Sequence, residues 1–150
     1  MDSNGILSRR RANRLLGERL LRALSNHDWD GIRRACRSDY IHHAPGVPEA
    51  GLEKYVATLQ LVVAAVPDMT IEIQEIVADE EHATLRYTVH GTHLHDFHGI
   101  PPSNAPITMP AIGLVRIKDG LLAEGWYVFD SGMLIMQSPI DQAFFAKKEG

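Results

Sequence analysis

Trp126 and Asp130 stand with three residues between them in the segment from Leu121 to Asp130, where residue character alternates with a period of two. Alternation puts Glu124, Trp126, Val128 and Asp130 on one strand face, and Gly125, Tyr127 and Phe129 on the other. Just upstream, Asp119-Gly120 is a two-residue hairpin signal, because such a turn needs positive φ. A two-residue turn with regular antiparallel pairing sets Trp126 opposite Gly113, Val128 opposite Ala111 and Asp130 opposite Met109. The expectation is a carboxylate among Met, Val, Ala and Trp. A carboxyl desolvated in that way becomes a usable acid or base near neutral pH. A structural reading stands beside it, in which Asp130 caps a turn at Ser131-Gly132, as Asp often does at strand ends.

Histidine is the other abundant chemical group: His27, His42, His43, His82, His90, His93, His95 and His98. His93 and His95 share strand parity and could hold a metal ion if another strand supplied a third ligand. No spacing matches a metal signature, and His90 is expected to face away from His93. Structural or solvent-facing histidines are therefore the better reading, and no metal is expected. His43 is distinct because it ends a short extended piece and precedes the turn Ala44-Pro45-Gly46-Val47-Pro48. Nucleophile-elbow, Walker and dinucleotide glycine patterns are lacking, so no cofactor is expected. Cys36 is the single cysteine, cannot form an internal disulfide, and reads as a small core residue in a helical pattern.

The elements that must position these groups change period midway. Ala12, Leu16, Leu20, Ala23 and Leu24 recur at helical spacing, which predicts an amphipathic helix of roughly four turns ended by Ser25-Asn26-His27. Asp28 can cap a second, shorter helix. Asp39 to His43 reads as a short extended piece. A third helix is expected from about Gly51 to Val66, stopped by Pro67. Met69, Ile71 and Ile73 then alternate with polar residues, and Ala83, Leu85, Tyr87 and Val89 repeat the pattern after an Asp79-Glu80-Glu81 turn. Strands over Ile107–Ile117 and Leu121–Asp130 complete a four-stranded antiparallel meander. Gly132–Gln137 reads as a helical turn, and the tail from Pro139 carries Phe144 and Phe145. Helices first and strands second give an α+β domain. A strongly curved sheet wrapped around the helices would enclose an apolar pocket.

With 150 residues the chain is expected to be one domain with a substantial core. No apolar run approaches the roughly 20 residues of a bilayer span, and the N-terminal stretch holds Ser8-Arg9-Arg10-Arg11 rather than an apolar signal region. A cytoplasmic protein without a membrane partner is the expectation. The net charge of -4 argues against nucleic acid as a partner. Arg9, Arg10, Arg11, Arg14, Arg19 and Arg22 read as a solvated helix face, with no aromatic interleaving beside them.

The ordered set Gly91-Thr92-His93, Phe97, Gly99-Ile100-Pro101-Pro102, Asp119-Gly120, Glu124-x-Trp126-x3-Asp130 and Gly132-Met133-Leu134 resembles the SnoaL-like polyketide cyclases of the nuclear-transport-factor-2-like superfamily. His27-Asp28-Trp29-Asp30, Asp39-Tyr40-Ile41-His42-His43 and Pro67-Asp68-Met69 fit as well. The resemblance covers about residues 17–137, leaving a basic N-terminal extension and a C-terminal tail. It implies an α+β cone and cofactor-independent ring closure by intramolecular aldol chemistry on a small hydrophobic carbonyl compound. On this reading Asp130 is the general acid/base, and His43 and His93 orient the substrate. Tyr55, Leu59, Phe97, Met109, Trp126 and Met133 wall the pocket. Two departures stand out. Gly125 replaces the His or Glu often found before the Trp, and Asn104-Ala105-Pro106 replaces the Gly-Lys or Gly-Arg after the prolines.

Other readings stay open. A ketosteroid-isomerase-like reaction needs only one base and two donors to an enolate oxygen. A non-catalytic small-molecule-binding module is another. In either case a homodimer or higher homo-oligomer would form through the outer sheet face, expected to hold Ile112, Leu114, Arg116, Tyr127 and Phe129. An epoxide hydrolase would need carboxylates flanking an arginine, and Arg116 is followed two residues later by Lys118, not an acid.

Overall fold

The computed structural model describes residues 2–130. Three helices, α1 (Ser3–Ser25), α2 (Trp29–Ala35) and α3 (Leu52–Ala65), pack against a six-stranded sheet. The strands are β1 (Cys36–His43), β2 (Ala50–Gly51), β3 (Thr70–Ala78), β4 (His82–Thr92), β5 (Pro106–Lys118) and β6 (Leu121–Phe129). Their order is β2-β1-β6-β5-β4-β3. The layout is the cone-shaped α+β fold expected above.

Local sequence accounts for the helix ends. The Asp2 carboxylate accepts from Gly5 N–H at 2.7 Å and starts α1 well before the periodic apolar residues. Asp28 accepts from Gly31 N–H at 2.9 Å and caps α2, as expected. Leu16, Leu20, Leu21 and Leu24 of α1 join Ile32, Val56, Leu85, Val115 and Leu122 in one core. Cys36 is buried but opens β1 rather than continuing α2, and burial pushes its thiol pKa up to about 12.

The sheet departs from the simple meander. The short extended piece around Asp39–His43 becomes a full strand that pairs in parallel with β6, so the sheet is mixed, not antiparallel throughout. Residue periodicity reports that a segment is extended, not which edge it joins. The β5–β6 hairpin turns on Asp119 (φ 52°) and Gly120 (φ 74°), the two positive φ values a tight hairpin demands. Three residues later the register slips. Arg116 pairs with Glu124 but Ile117 pairs with Leu122, leaving Ala123 unpaired. Leu122 and Ala123 are both buried in consequence.

That one-residue bulge inverts the rest of β6. Trp126 lies opposite Leu114, Val128 opposite Ile112, Tyr127 opposite Gly113 and Phe129 opposite Ala111. Gly125 and Tyr127 face inward, while Trp126 and Val128 are 39% and 63% exposed on the outer face. The expected register, with Trp126 over Gly113 and Asp130 over Met109, is therefore displaced by one residue. So is the expected outer face, which holds Trp126 and Val128 beside Ile112, Leu114 and Arg116, with Tyr127 on the other side.

Candidate functional site

The inner end of β6 meets β1 and α3. Parallel pairing sets His42 beside Gly125 and His43 beside Trp126. Alternation then sends His42 inward and His43 outward. His42 stacks on Tyr55 of α3, ring centroids 4.2 Å apart, and on Tyr127 at 5.0 Å. Tyr40 lies 5.5 Å from Tyr55. Tyr87 of β4 is buried as well, so all four tyrosines of the chain line the interior. The interior expected to be apolar is thus lined by phenols and imidazole.

Two glycines make room for this cluster. A Cβ at Gly113 would lie 2.6 Å from Tyr127 Cδ1, and one at Gly125 would lie 2.5 Å from the Tyr40 hydroxyl and 2.6 Å from Tyr127 Cε2. The Tyr127 ring therefore lies flat on the sheet, in space that only glycine leaves free. The Tyr40 and Tyr127 hydroxyls are buried against each other with no well-formed hydrogen bond to a third group, and His42 Nδ1 is buried with no partner. Burial holds the Tyr40, Tyr55, Tyr87 and Tyr127 hydroxyls above the ordinary tyrosine pKa, so each keeps its proton. Burial also lowers the His42 pKa to about 4, leaving the imidazole neutral.

His93 is the second interior group. It is 1% exposed, just beyond β4, and neither ring nitrogen has a partner. Its backbone N–H donates to the Ala105 carbonyl at 3.2 Å. The N–H groups of Leu94 and His95 donate to the Ala65 carbonyl at the end of α3. His95 is exposed, so the two histidines do not converge. Among the described residues, no three His, Cys, Asp or Glu side chains gather as a ligand set.

The remaining expected residues divide. Tyr55 is buried in the cluster, and Leu59, Phe97 and Met109 are half-buried against the core. Trp126 and His43 are outside, stacked on each other at 5.2 Å with planes 8° apart. His43 Nε2 is 2.6 Å from Glu124, whose other carboxylate oxygen accepts from Arg116 at 3.3 Å. Arg116 is thus held on the outer face. Asp130 follows β6 and is exposed, its N–H donating to the Pro110 carbonyl at 3.2 Å. The expected shell of Met, Val, Ala and Trp does not surround it, because the bulge turns Trp126 and Val128 outward. Met133 and the tail phenylalanines lie outside the described residues. Tyr40, His42 and Tyr127 were missed by the sequence reading, although Gly125 in place of a polar residue was the signal that could have found them. Two surface grooves of about 310 and 420 Å³ run along α1, one against β3 and one against α2, and hold none of these residues.

A cone-shaped α+β chain with a hydrogen-bonding interior defines a class of small-molecule-binding folds. The SnoaL-like polyketide cyclase family matches residues 14–138, and the chain belongs to it. IdmH of Streptomyces antibioticus, provisionally assigned as a polyketide cyclase, is 27% identical with a TM-score of 0.73, over 81% of this chain and 94% of its own. AclR of Streptomyces galilaeus, provisionally assigned as a hydroxylase, is 25% identical with a TM-score of 0.75, over 88% and 96%. A SnoaL-like protein of Jannaschia sp. CCS1 is 17% identical with a TM-score of 0.80, over 92% and 96%, and shares the fold. No curated protein sequence matches the chain. No described helix is long and apolar enough to cross a membrane.

Proposed function

We propose that the protein is a cyclase or isomerase acting by acid/base chemistry on a hydrophobic carbonyl compound, without a cofactor. The observation that carries this reading is the set of under-satisfied polar atoms inside the cone: His42 Nδ1 and both ring nitrogens of His93, beside the Tyr40 and Tyr127 hydroxyls, which have at most each other. Each buried polar group left unpaired costs about 1–3 kcal/mol, so such a set calls for a polar ligand. The surrounding apolar core selects a ligand that is otherwise hydrophobic.

Asp130 acts as the general acid/base from the end of β6, on the strength of the family's Trp-x3-Asp pattern. His93 offers a second reading of the same role, because it is the interior imidazole with both nitrogens open. Solvent exchange decides between them. Deuterium incorporation into the central carbon of a hydrophobic 1,3-diketone, followed by NMR, reports proton abstraction directly. Asp130→Asn should slow that exchange by roughly 10²–10⁴-fold while leaving the unfolding midpoint unchanged. If Asp130→Asn exchanges at the wild-type rate and His93→Gln does not, the role passes to His93. Exchange no faster than in buffer overturns the enzyme reading and leaves a binding module.

The chain pairs with a second copy through the outer sheet face. Ile41, Ile112, Leu114, Trp126 and Val128 are exposed there on three neighbouring strands. Sedimentation equilibrium should give twice the monomer mass, and Leu114→Glu should return it to the monomer. A wild-type monomer at high protein concentration would remove the pairing.

A further inference from the structure

Gly125 stands on β6 immediately before Trp126. The structure turns it inward, and its missing side chain leaves a space that two hydroxyls fill. A Cβ there would lie 2.5 Å from the Tyr40 oxygen and 3.2 Å from the Tyr127 oxygen. Both oxygens therefore converge on one point above the sheet, one arriving from β1 and the other from β6. The two hydroxyls face each other and have no well-formed hydrogen bond to a third group, and His42 Nδ1, from the ring stacked on Tyr127, has no partner. The three groups come from side chains fixed by packing: Tyr40 is 1% and Tyr127 4% exposed, and Gly113 and Gly125 fit the Tyr127 ring on both sides.

We propose that Tyr40 and Tyr127, seated over Gly125 and flanked by His42, form an oxygen-binding subsite that holds the substrate carbonyl and stabilises the enolate developing on it. The inference rests on the carbonyl-compound reading above. Two phenol donors on one oxygen suit an enolate better than a neutral ketone, because hydrogen bonds to the charged form are stronger. Since burial keeps the tyrosines protonated, they donate hydrogen bonds without giving up their protons. In the step itself, the base takes the proton from the carbon next to the carbonyl. The C–H electron pair becomes the enolate C=C bond, and the carbonyl π pair moves onto the oxygen held by the tyrosines. The enolate carbon then attacks a second carbonyl of the same molecule, whose oxygen takes the proton back from the base.

4-Nitrophenol tests the subsite without the natural substrate, because its phenolate carries an oxyanion conjugated as in an enolate and is distinguished from the phenol by absorbance. Wild-type protein should bind the phenolate and lower the pH at which the bound dye ionises. Tyr40→Phe and Tyr127→Phe should each weaken phenolate binding roughly 5- to 10-fold with no loss of thermal stability. Gly125→Ala, which sets a methyl group against both oxygens, should weaken it further. A dye bound as neutral phenol, no bound dye, or Tyr→Phe variants that bind as wild type does would each overturn the subsite. Diketone exchange separates the two claims. Phenolate binding without exchange removes the reaction and keeps the subsite, whereas exchange that is unchanged in both Tyr→Phe variants keeps the reaction and removes the subsite.

Discussion

The two faces of β6 carry similar chemistry in opposite states. On the outer face, His43, Glu124 and Arg116 satisfy one another, and Trp126 stacks on the imidazole. On the inner face, His42 stacks on Tyr127 just as closely with Tyr40 buried beside them, yet His42 Nδ1 has no partner and the two hydroxyls have at most each other. Water can serve any group on the outer face, so pairing there adds little. Inside, an open hydrogen bond persists at a cost unless something enters to fill it. A polar cluster that completes itself reads as structural, and one that packs well but stays unpaired reads as a receptor.

The largest test of this contrast is the pH dependence of stability at His42. Its folded pKa is pushed down by burial to about 4, against 6.5 ordinarily, with Tyr55 from α3, Tyr127 from β6 and His43 from its own strand around it. Between these values the unfolded chain binds a proton that the folded chain refuses. Stability therefore falls as pH drops from about 6.5 to about 4 and gains no further penalty from this group below that. The loss should reach about 2–3 kcal/mol in urea unfolding. His42→Phe keeps the stacking and should flatten that limb. An unchanged acid limb in His42→Phe would mean the imidazole is better solvated than its neighbours imply, and the inner face would lose its distinction.

Much of this was legible in advance. Asp28 as a cap, the inward run of Ala83, Leu85, Tyr87 and Val89, and the Asp119-Gly120 turn all follow from local chemistry, and the structure has each in place. The family pattern was legible for the same reason, since its elements are turns and strand ends. The face of β6 was not. Ala123 is a small apolar residue that fits a bulge or a regular pair equally well, and nothing beside it declares an extra residue. Because side-chain parity is strict, that single uncertainty exchanged Trp126 for Tyr127 at the interior. The parallel pairing of β1 with β6 was hidden too, because it joins segments some 80 residues apart through tertiary packing alone.

The outer face supplies the smaller test, and its pH window lies elsewhere. The hydrogen bond from His43 holds the Glu124 carboxyl below its usual pKa, with help from Arg116 and against the cost of partial burial. A depressed carboxyl contributes stability above its ordinary pKa of 4.5 and loses it as pH falls through the folded value. Glu124→Gln should therefore cost up to about 1 kcal/mol at neutral pH, the scale of a part-exposed ion pair. The difference from wild type should shrink as pH falls through the lowered folded pKa, below which both chains lack the charge. The limb removed by His42→Phe lies mainly above that window, so the two variants together should separate the acid profile into an inner and an outer part. Phenolate binding should follow the inner part alone. If Glu124→Gln weakens phenolate binding as much as Tyr127→Phe does, the two faces are coupled through β6, and the outer triad supports the interior site instead of standing apart from it.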